Sequence, residues 1–221
     1  QRPIAPKPKV PLLPTADGEK NMALDVELLA RAEQGHLVHR VYGWDGPWAS
    51  LGRFQKPEDV LVDPAFPHVV RPTGGKAVLH GHDVTVALAV PLTHLPGEVR
   101  SVKVAYRALT APLIRALRLC GLPAVLVEGS RHVAQDGRAF DCFVSRSVND
   151  IVDERTGDKV CGCALRLTSK AALLQASLPV RAPLVNPTEV FRGATYSGWS
   201  IWGHEAFAEV FKTQVQGWKN E

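Results

Sequence analysis

The stretch VVRPTGGKAVLHGHDVTVALAV, residues 69–90, sets a Gly-Gly turn between an arginine and a lysine and runs on through two histidines into an apolar segment. The reading of that turn decides the fold class. A Walker loop or a dinucleotide fingerprint needs its glycines to open a helix. Here VTVALAV follows and Pro91 closes it, so the turn feeds a strand buried on both faces. A second stretch, VNDIVDERTGDKVCGCALRLT at 148–168, reads as a hairpin around a turn at 155–158.

Outward from these two stretches the pattern stays mixed. LVHRVYGW, PAVLVEG and AALLQASLPV read as further strands. EKNMALDVELLARAEQG places Leu24, Leu28 and Ala32 at steps of four, with Met22 and Leu29 beside them, and Gly35 can stop the helix. A longer helix over 99–121 carries Val102, Tyr106, Leu109, Leu113 and Leu117, and Pro112 is expected to kink or split it. One more helix fits GHEAFAEVFKTQVQGW near the end. Strands and helices alternate, yet hairpins are frequent. That predicts an α/β (α+β) chain with a mixed, largely antiparallel sheet flanked by helices, rather than a doubly wound parallel sheet. Residues 1–16 are dense in proline and read as an arm; residues 17–221 read as one domain.

Composition narrows the function classes. The 221 residues are 45% hydrophobic and 22% charged, ordinary for a globular enzyme and enough for a sizeable core. The formal charge of +4 suits an acidic partner or an anionic substrate, but without a Lys/Arg run it does not argue for nucleic acid. No apolar stretch is long enough to span a membrane, and the first residues lack the apolar core of a signal peptide. The four cysteines form neither a CxxC pair nor a zinc ribbon, and are expected as free thiols in a reducing, cytoplasmic compartment.

Several residues can do chemistry. Gly74 and Gly75 let a ligand lie on their amides, Arg71 can hold a carboxylate or phosphate in its fork, and Lys76 adds a point charge. His80 and His82 flank Gly81 and can face one pocket, although a metal there lacks a third ligand with credible spacing. The alternative is a tight turn with its charges in solvent. Cys142 sits between an aspartate and phenylalanines, and Lys159, across the hairpin, can supply the positive charge that favours thiolate. The alternatives are a buried structural cysteine and a solvated strand-end lysine. Gly162 inside a strand marks a close approach, Gly52 marks another, and Gln55 can reach a ligand.

Taken in order, NMALD, YGWDGPWASLGRFQ, VRPTGGKAVLHGHDVT and CFVSRSVNDIVDERTGDKVCGCALRL…LLQASL resemble the lipoate-protein ligase and octanoyltransferase family, related to the biotin protein ligases, from about residue 21 to 180. The resemblance implies a tunnel for a medium-length acyl chain walled by Arg71, Gly74, Gly75, Lys76 and His80, with Gly162 and Ala164 also lining the substrate. It further implies a lysine, Lys159, at the acyl carbonyl. Cys142 ahead of the lysine strand resembles the octanoyltransferase branch. That branch implies transfer of octanoate from acyl carrier protein, through a Cys142 thioester, to a lysine of a lipoyl domain or a glycine-cleavage H-type protein, with no cofactor. The runner-up is an ATP- and magnesium-dependent lipoate ligase. A third reading, of another class, is a non-catalytic binder of acyl chains or lipoyl domains. Val70 stands where the family often has a second arginine, and Cys161 and Cys163 stand where small residues are common.

Overall fold

A computed structural model of the protein describes residues 13–98, 100–132, 140–144, 146–194 and 206–218. The chain order is β1 (Thr15–Ala16), α1 (Gly18–Glu33), β2 (Val38–Trp44), β3 (Trp48–Leu51), α2 (Pro57–Val60), β4 (His68–Val70), β5 (Val78–His80), β6 (Asp83–Pro91), α3 (Val102–Leu119), β7 (Ala124–Leu126), β8 (Ile151–Asp153), β9 (Lys159–Leu167), β10 (Ala171–Pro179), α4 (Pro187–Val190) and α5 (Phe207–Trp218). The main sheet has seven strands in the order β1-β2-β6-β10-β9-β8-β7, and a smaller sheet has the order β4-β3-β5. Every pairing in the main sheet is antiparallel except β1 with β2; in the smaller sheet β3 runs parallel to β4 and antiparallel to β5. The expected mixed, largely antiparallel sheet is what forms.

Strand β6 shows why the sheet is sandwiched. Val86, Leu88 and Val90 enter a core with α3 and α5, while Ala87 and Ala89 on the opposite face enter a core with α1. Period-two alternation puts consecutive residues on opposite faces, so a strand apolar at every position must be covered twice. The small residues lie on the α1 side. The smaller sheet closes a third cluster with α2 and α4 through Leu51, Leu79, Val60, Val190 and Phe191.

Four expectations need correction. Pro112 neither ends nor divides α3, which runs unbroken for 18 residues. A proline inside a helix costs about 3 kcal/mol, and the face Ala105, Leu109, Leu113, Ala116 and Leu117 on the core offsets it. Val102 was expected on that face but is exposed. In α1 the buried stripe takes Asn21 and Asp25 rather than Leu24, because both polar side chains find partners. Arg40 Nη1 donates to Asp25 Oδ1 at 2.9 Å, Tyr42 donates to Oδ2 at 2.7 Å, and the Asn21 amide donates to Gly43 O. Finally, Thr15 and Ala16, read as the end of the proline-rich arm, pair with Gly43 and Trp44 as a sheet edge; residues 1–12 lie outside the described residues.

Candidate active site

One pocket, about 420 Å³ and partly open to solvent, collects most of the candidate residues. Its lining, largely apolar with a few convergent polar groups, suits a small-molecule site. The walls come from two regions. On one side stand Ser50, Arg71, Gly75, Lys76 and His80, and on the other Cys142, Gly162, Cys163 and Ala164. Gln175, Ala176 and Ser177 of β10, with Trp44, Met22, Val78 and Thr85, complete the lining.

The hairpin β8–β9 builds the reactive side. Its turn closes with Gly157 in the left-handed region, at φ +77°. That places Lys159 at the start of β9, 8% exposed, with Nζ 3.2 Å from Cys142 Sγ and 2.6 Å from Cys142 O. Gly162 is what lets them meet: a Cβ there would lie 3.2 Å from Sγ and 3.4 Å from Lys159 Cε. Cys142 is itself anchored, since its N–H donates to Ala77 O at 2.8 Å and Ala77 N–H donates to Phe140 O. The loop with the cysteine therefore hangs on the chain just beyond the Gly-Gly turn.

Charge on this side is shared rather than paired off. Lys159 Nζ is also 2.8 Å from Asp150 Oδ2, and Asp150 is 2% exposed. Burial pulls the lysine's pKa down, but the charges of Cys142 and Asp150 outweigh it and hold it above the usual range. For the thiol, burial pushes up, Lys159 pulls down and Asp150 pushes up again, so Cys142 ends above an ordinary thiol. The expectation that Lys159 favours thiolate holds in direction, but burial and Asp150 override it in the resting site. Beside it, Asp141 is 1% exposed and its Oδ2 has no hydrogen-bond partner among the described residues. Burial, opposed by the Phe143 N–H and by Lys159 and Lys76, raises its carboxyl to about 6.

The other side is built differently. Arg71, expected to grip a carboxylate or phosphate, spends its fork on the protein. Nε donates to Thr73 Oγ1, Nη1 to Ser50 O at 2.8 Å, and Nη2 to Gly74 O at 2.6 Å and Lys76 O at 2.7 Å. A buried guanidinium must satisfy its five donors, and the carbonyls of the turn are the nearest acceptors. Burial lowers it to about 10. Arg71 thus moulds the Gly-Gly loop. Gly75 sits at φ +87°, where only glycine is unstrained, and lines the pocket; Gly74 contributes its carbonyl to Arg71. Gly52 is under the loop: a Cβ there would fall 1.9 Å from Gly75 O. Gln55, read as a ligand contact, accepts from Gly52 N–H instead.

His80 lines the pocket, stacked on Trp44 with ring centroids 4.0 Å apart. Its Nε2 is 2.7 Å from Ser50 Oγ and its Nδ1 is 2.8 Å from Asp83 Oδ2. His82 does not share the pocket, because Gly81 at φ +103° turns the chain between the two rings. Among the described residues, no group of three His, Cys, Asp or Glu side chains is placed to hold a metal. Cys163 lines the pocket, and Cys161 Sγ lies 3.8 Å from Cys163 Sγ, the same-face placement a strand dictates.

Ser50, Asp150 and Gln175 were not singled out by sequence reasoning. Gln175 had a visible signal, being the lone polar side chain in ALLQA; it accepts from Thr73 Oγ1 and donates to Asp25, tying the loop to α1. Asp150 had a weaker one, an Asx residue at a strand entrance. Ser50 had none.

Residues 17–200 match the lipoyl protein ligase A/B catalytic domain. The octanoyltransferase LipM of Kyrpidia tusciae is 36% identical over 166 residues, 69% of this chain and 59% of that protein. LipM of Geobacillus kaustophilus is 33% identical over 70% of this chain and 58% of its own length. The chain thus spans about three-fifths of the relatives it matches. Among solved structures, T. acidophilum Ta0514 with bound lipoic acid aligns with a TM-score of 0.66 at 18% identity, over 95% of this chain and 85% of that one. Lipoate-protein ligase A bound with ATP aligns with a TM-score of 0.66 at 20% identity, over 95% and 84%. These structures share the fold. The match to the catalytic-domain family covers most of the chain, and the chain belongs to the lipoyl protein ligase A/B catalytic-domain family.

Proposed function

We propose that this chain is an octanoyltransferase of protein lipoylation, which takes a medium-chain acyl group from acyl carrier protein and passes it to a lysine of a lipoyl domain or a glycine-cleavage H-type protein. The observation that carries this reading is the Cys142–Lys159 pair, 3.2 Å apart in the wall of a largely apolar pocket. Its nearest supports are the LipM relatives, which are octanoyltransferases by name.

In the first half-reaction Cys142 Sγ attacks the thioester carbonyl. The C–S bond to the carrier breaks, and the thiol proton leaves with the carrier thiolate. Exchange of one thioester for another is close to balanced, so no ATP is needed. The Lys159 ammonium lies beside Sγ, where it offsets negative charge on the sulfur and on the carbonyl oxygen as the tetrahedral state forms. In the second half the acceptor lysine, as free amine, attacks the acyl-enzyme, an amide forms, and Cys142 regains its proton. Arg71 counts against the ligase reading, since a phosphate there must displace the Ser50, Gly74 and Lys76 carbonyls. The formal charge of +4 suits acidic carrier and lipoyl domains. No described helix is long and apolar enough to cross a membrane, and we place the reaction in the cytoplasm, where four unpaired cysteines stay reduced.

The test is the intact mass of the protein after mixing with octanoyl-carrier protein without ATP. Wild type is expected to gain one octanoyl group, labile to neutral hydroxylamine, and Cys142→Ser to lose it or hold it as a resistant ester. No adduct, together with ATP-dependent attachment of free lipoate to a lipoyl domain, overturns this reading in favour of the ligase.

A further inference from the structure

Ser50, on β3, and His80, on β5, are diagonal neighbours in the antiparallel pairing of the smaller sheet, where Ser50 lies opposite Val78 and His80 opposite Trp48, and both line the pocket. Ser50 Oγ is 2.7 Å from His80 Nε2, and His80 Nδ1 is 2.8 Å from Asp83 Oδ2. All three are buried. Asp83 also accepts from Ser177 Oγ at 2.6 Å, Thr85 Oγ1 at 3.0 Å and Gly81 N–H at 3.2 Å. Burial pushes that carboxyl up, but the His80 charge and hydrogen bond, with the Ser177 bond, outweigh it and bring it to about 2. An ionised Asp83 accepts a hydrogen bond from Nδ1–H, so that with the ring neutral Nε2 is left as the acceptor for the Ser50 hydroxyl.

The serine is poised from its other side as well. Arg71 Nη1 donates to Ser50 Oγ at 3.3 Å, so a lone pair faces a cation while the hydroxyl proton faces the ring. The stacking of Trp44 on His80 holds the ring in place, and Trp44 is itself tied through Nε1 to Thr85 Oγ1 at 2.9 Å. A nucleophile, a base bonded to it, and a third group orienting the base are the parts of a hydroxyl-based acyl-transfer site, whatever the fold or chain order.

We propose that Ser50, His80 and Asp83 form a second acyl-accepting site in the same pocket, with Ser50 as nucleophile, which slowly hydrolyses medium-chain acyl thioesters. This rests on the reading of the pocket as an acyl site, and not on Cys142 being the carrier of the acyl group. In acylation the Oγ–carbonyl bond forms and the C–S bond of the thioester breaks. The hydroxyl proton passes to His80 Nε2 and from there to the departing thiolate. In deacylation a water gives its proton to Nε2 and its oxygen to the carbonyl. The C–Oγ bond then breaks, the proton returns to Ser50, and the carboxylic acid leaves. The two sites differ in product: an amine that reaches the Cys142 thioester makes an amide, whereas the Ser50 ester yields the free acid.

The experiment uses octanoyl-N-acetylcysteamine, a soluble thioester, on wild type, Cys142→Ala, Cys142→Ala/Ser50→Ala and Cys142→Ala/Ser50→Cys. Intact mass, peptide mapping and release of octanoate are followed, and thermal melts confirm folding. Cys142→Ala is expected to carry an octanoyl group at Ser50, resistant to neutral hydroxylamine, and to release octanoate at least about tenfold faster than Cys142→Ala/Ser50→Ala. Cys142→Ala/Ser50→Cys is expected to carry the group at the same position in hydroxylamine-labile form. A folded Cys142→Ala with no adduct, or with the adduct on another residue, overturns the proposal. Wild type separates the two readings in the same run. Acylated Cys142 with no label at Ser50 in Cys142→Ala sinks only the second site, and label at Ser50 without acylation of Cys142 sinks only the cysteine route.

Discussion

The two walls of the pocket differ in how their polar groups are settled. On the Gly-Gly side every donor of Arg71 that bonds does so to the protein's own oxygens, and the loop above it is held from below by Gly52 and from the side by Thr73 and Gln175. On the hairpin side one ammonium is shared among a thiol, a carbonyl and a carboxylate, and a neighbouring carboxylate oxygen has no partner among the described residues. A satisfied wall keeps its shape, while a wall of shared charge changes state when a substrate tips the balance. The moulding of the Gly-Gly loop by Arg71 and the shared charge around Cys142 are thus assigned to different chain segments that meet in one cavity.

The sharpest way to break that division is Lys159→Met, which keeps the stem and removes the charge. Octanoyl transfer is expected to fall about 100- to 1,000-fold, as when a group stabilising an oxyanion is lost. Rates on the folded fraction check this, and a loss below tenfold ends the role given to the lysine. On the other wall Gly52→Ala is expected to cost about 3 kcal/mol, because its Cβ meets Gly75 O at 1.9 Å and the loop must move. In a chain of this size that lowers the melting midpoint by about 6–12 °C. An unchanged midpoint with impaired transfer shows the loop to be part of the chemistry rather than framework.

Asp141 gives a pH test. Its carboxyl is raised in the fold, so its contribution to stability is full below its unfolded value and is lost as pH rises through about 6. Between pH 4 and 7 the loss amounts to roughly 3 kcal/mol at most, from a shift of about two pH units. Asp141→Asn is expected to flatten that part of the stability profile, and equilibrium denaturation at four pH values decides it. Asp150→Asn should have the smallest effect, and its sign is opposite to ordinary damage. Asp150 pushes the Cys142 thiol up, so its removal lowers the thiol pKa and raises the thiolate present near neutrality. Alkylation of Cys142 at pH 7.5, mapped by peptide mass, is expected to quicken by about three- to fourfold for each pK unit lost, because the gain in thiolate is partly offset by its lower nucleophilicity. Slower alkylation removes Asp150 from the balance.

What could be read from residue order follows the same division by range. The double burial of β6, the hairpin around Gly157, the close approach at Gly52 and the meeting of Cys142 with Lys159 were legible, because period, turn chemistry and a missing Cβ are local signals. The fold class followed from them. The bonding of Arg71 was only partly legible: Thr73 and the carbonyls of Gly74 and Lys76 are local, but the Ser50 acceptor is fixed only when β3 is laid beside β4. Ser50 is an unremarked residue in WASL, and it gains a base 30 positions away only through the register of β3 with β5. Pro112 misled because the helix rule is local, whereas the face it helps bury belongs to the whole core.

The anchoring of Cys142 on Ala77 has a further consequence. Two backbone hydrogen bonds make the cysteine loop a dependant of the Gly-Gly segment. Any change that reshapes the loop to admit a longer or shorter chain also carries the sulfur with it. On the proposed acyl-transfer function, chain-length preference and turnover are therefore expected to be mechanically linked. A selection that retunes one will drag the other, and separating them calls for a second substitution in the cysteine loop to restore its aim.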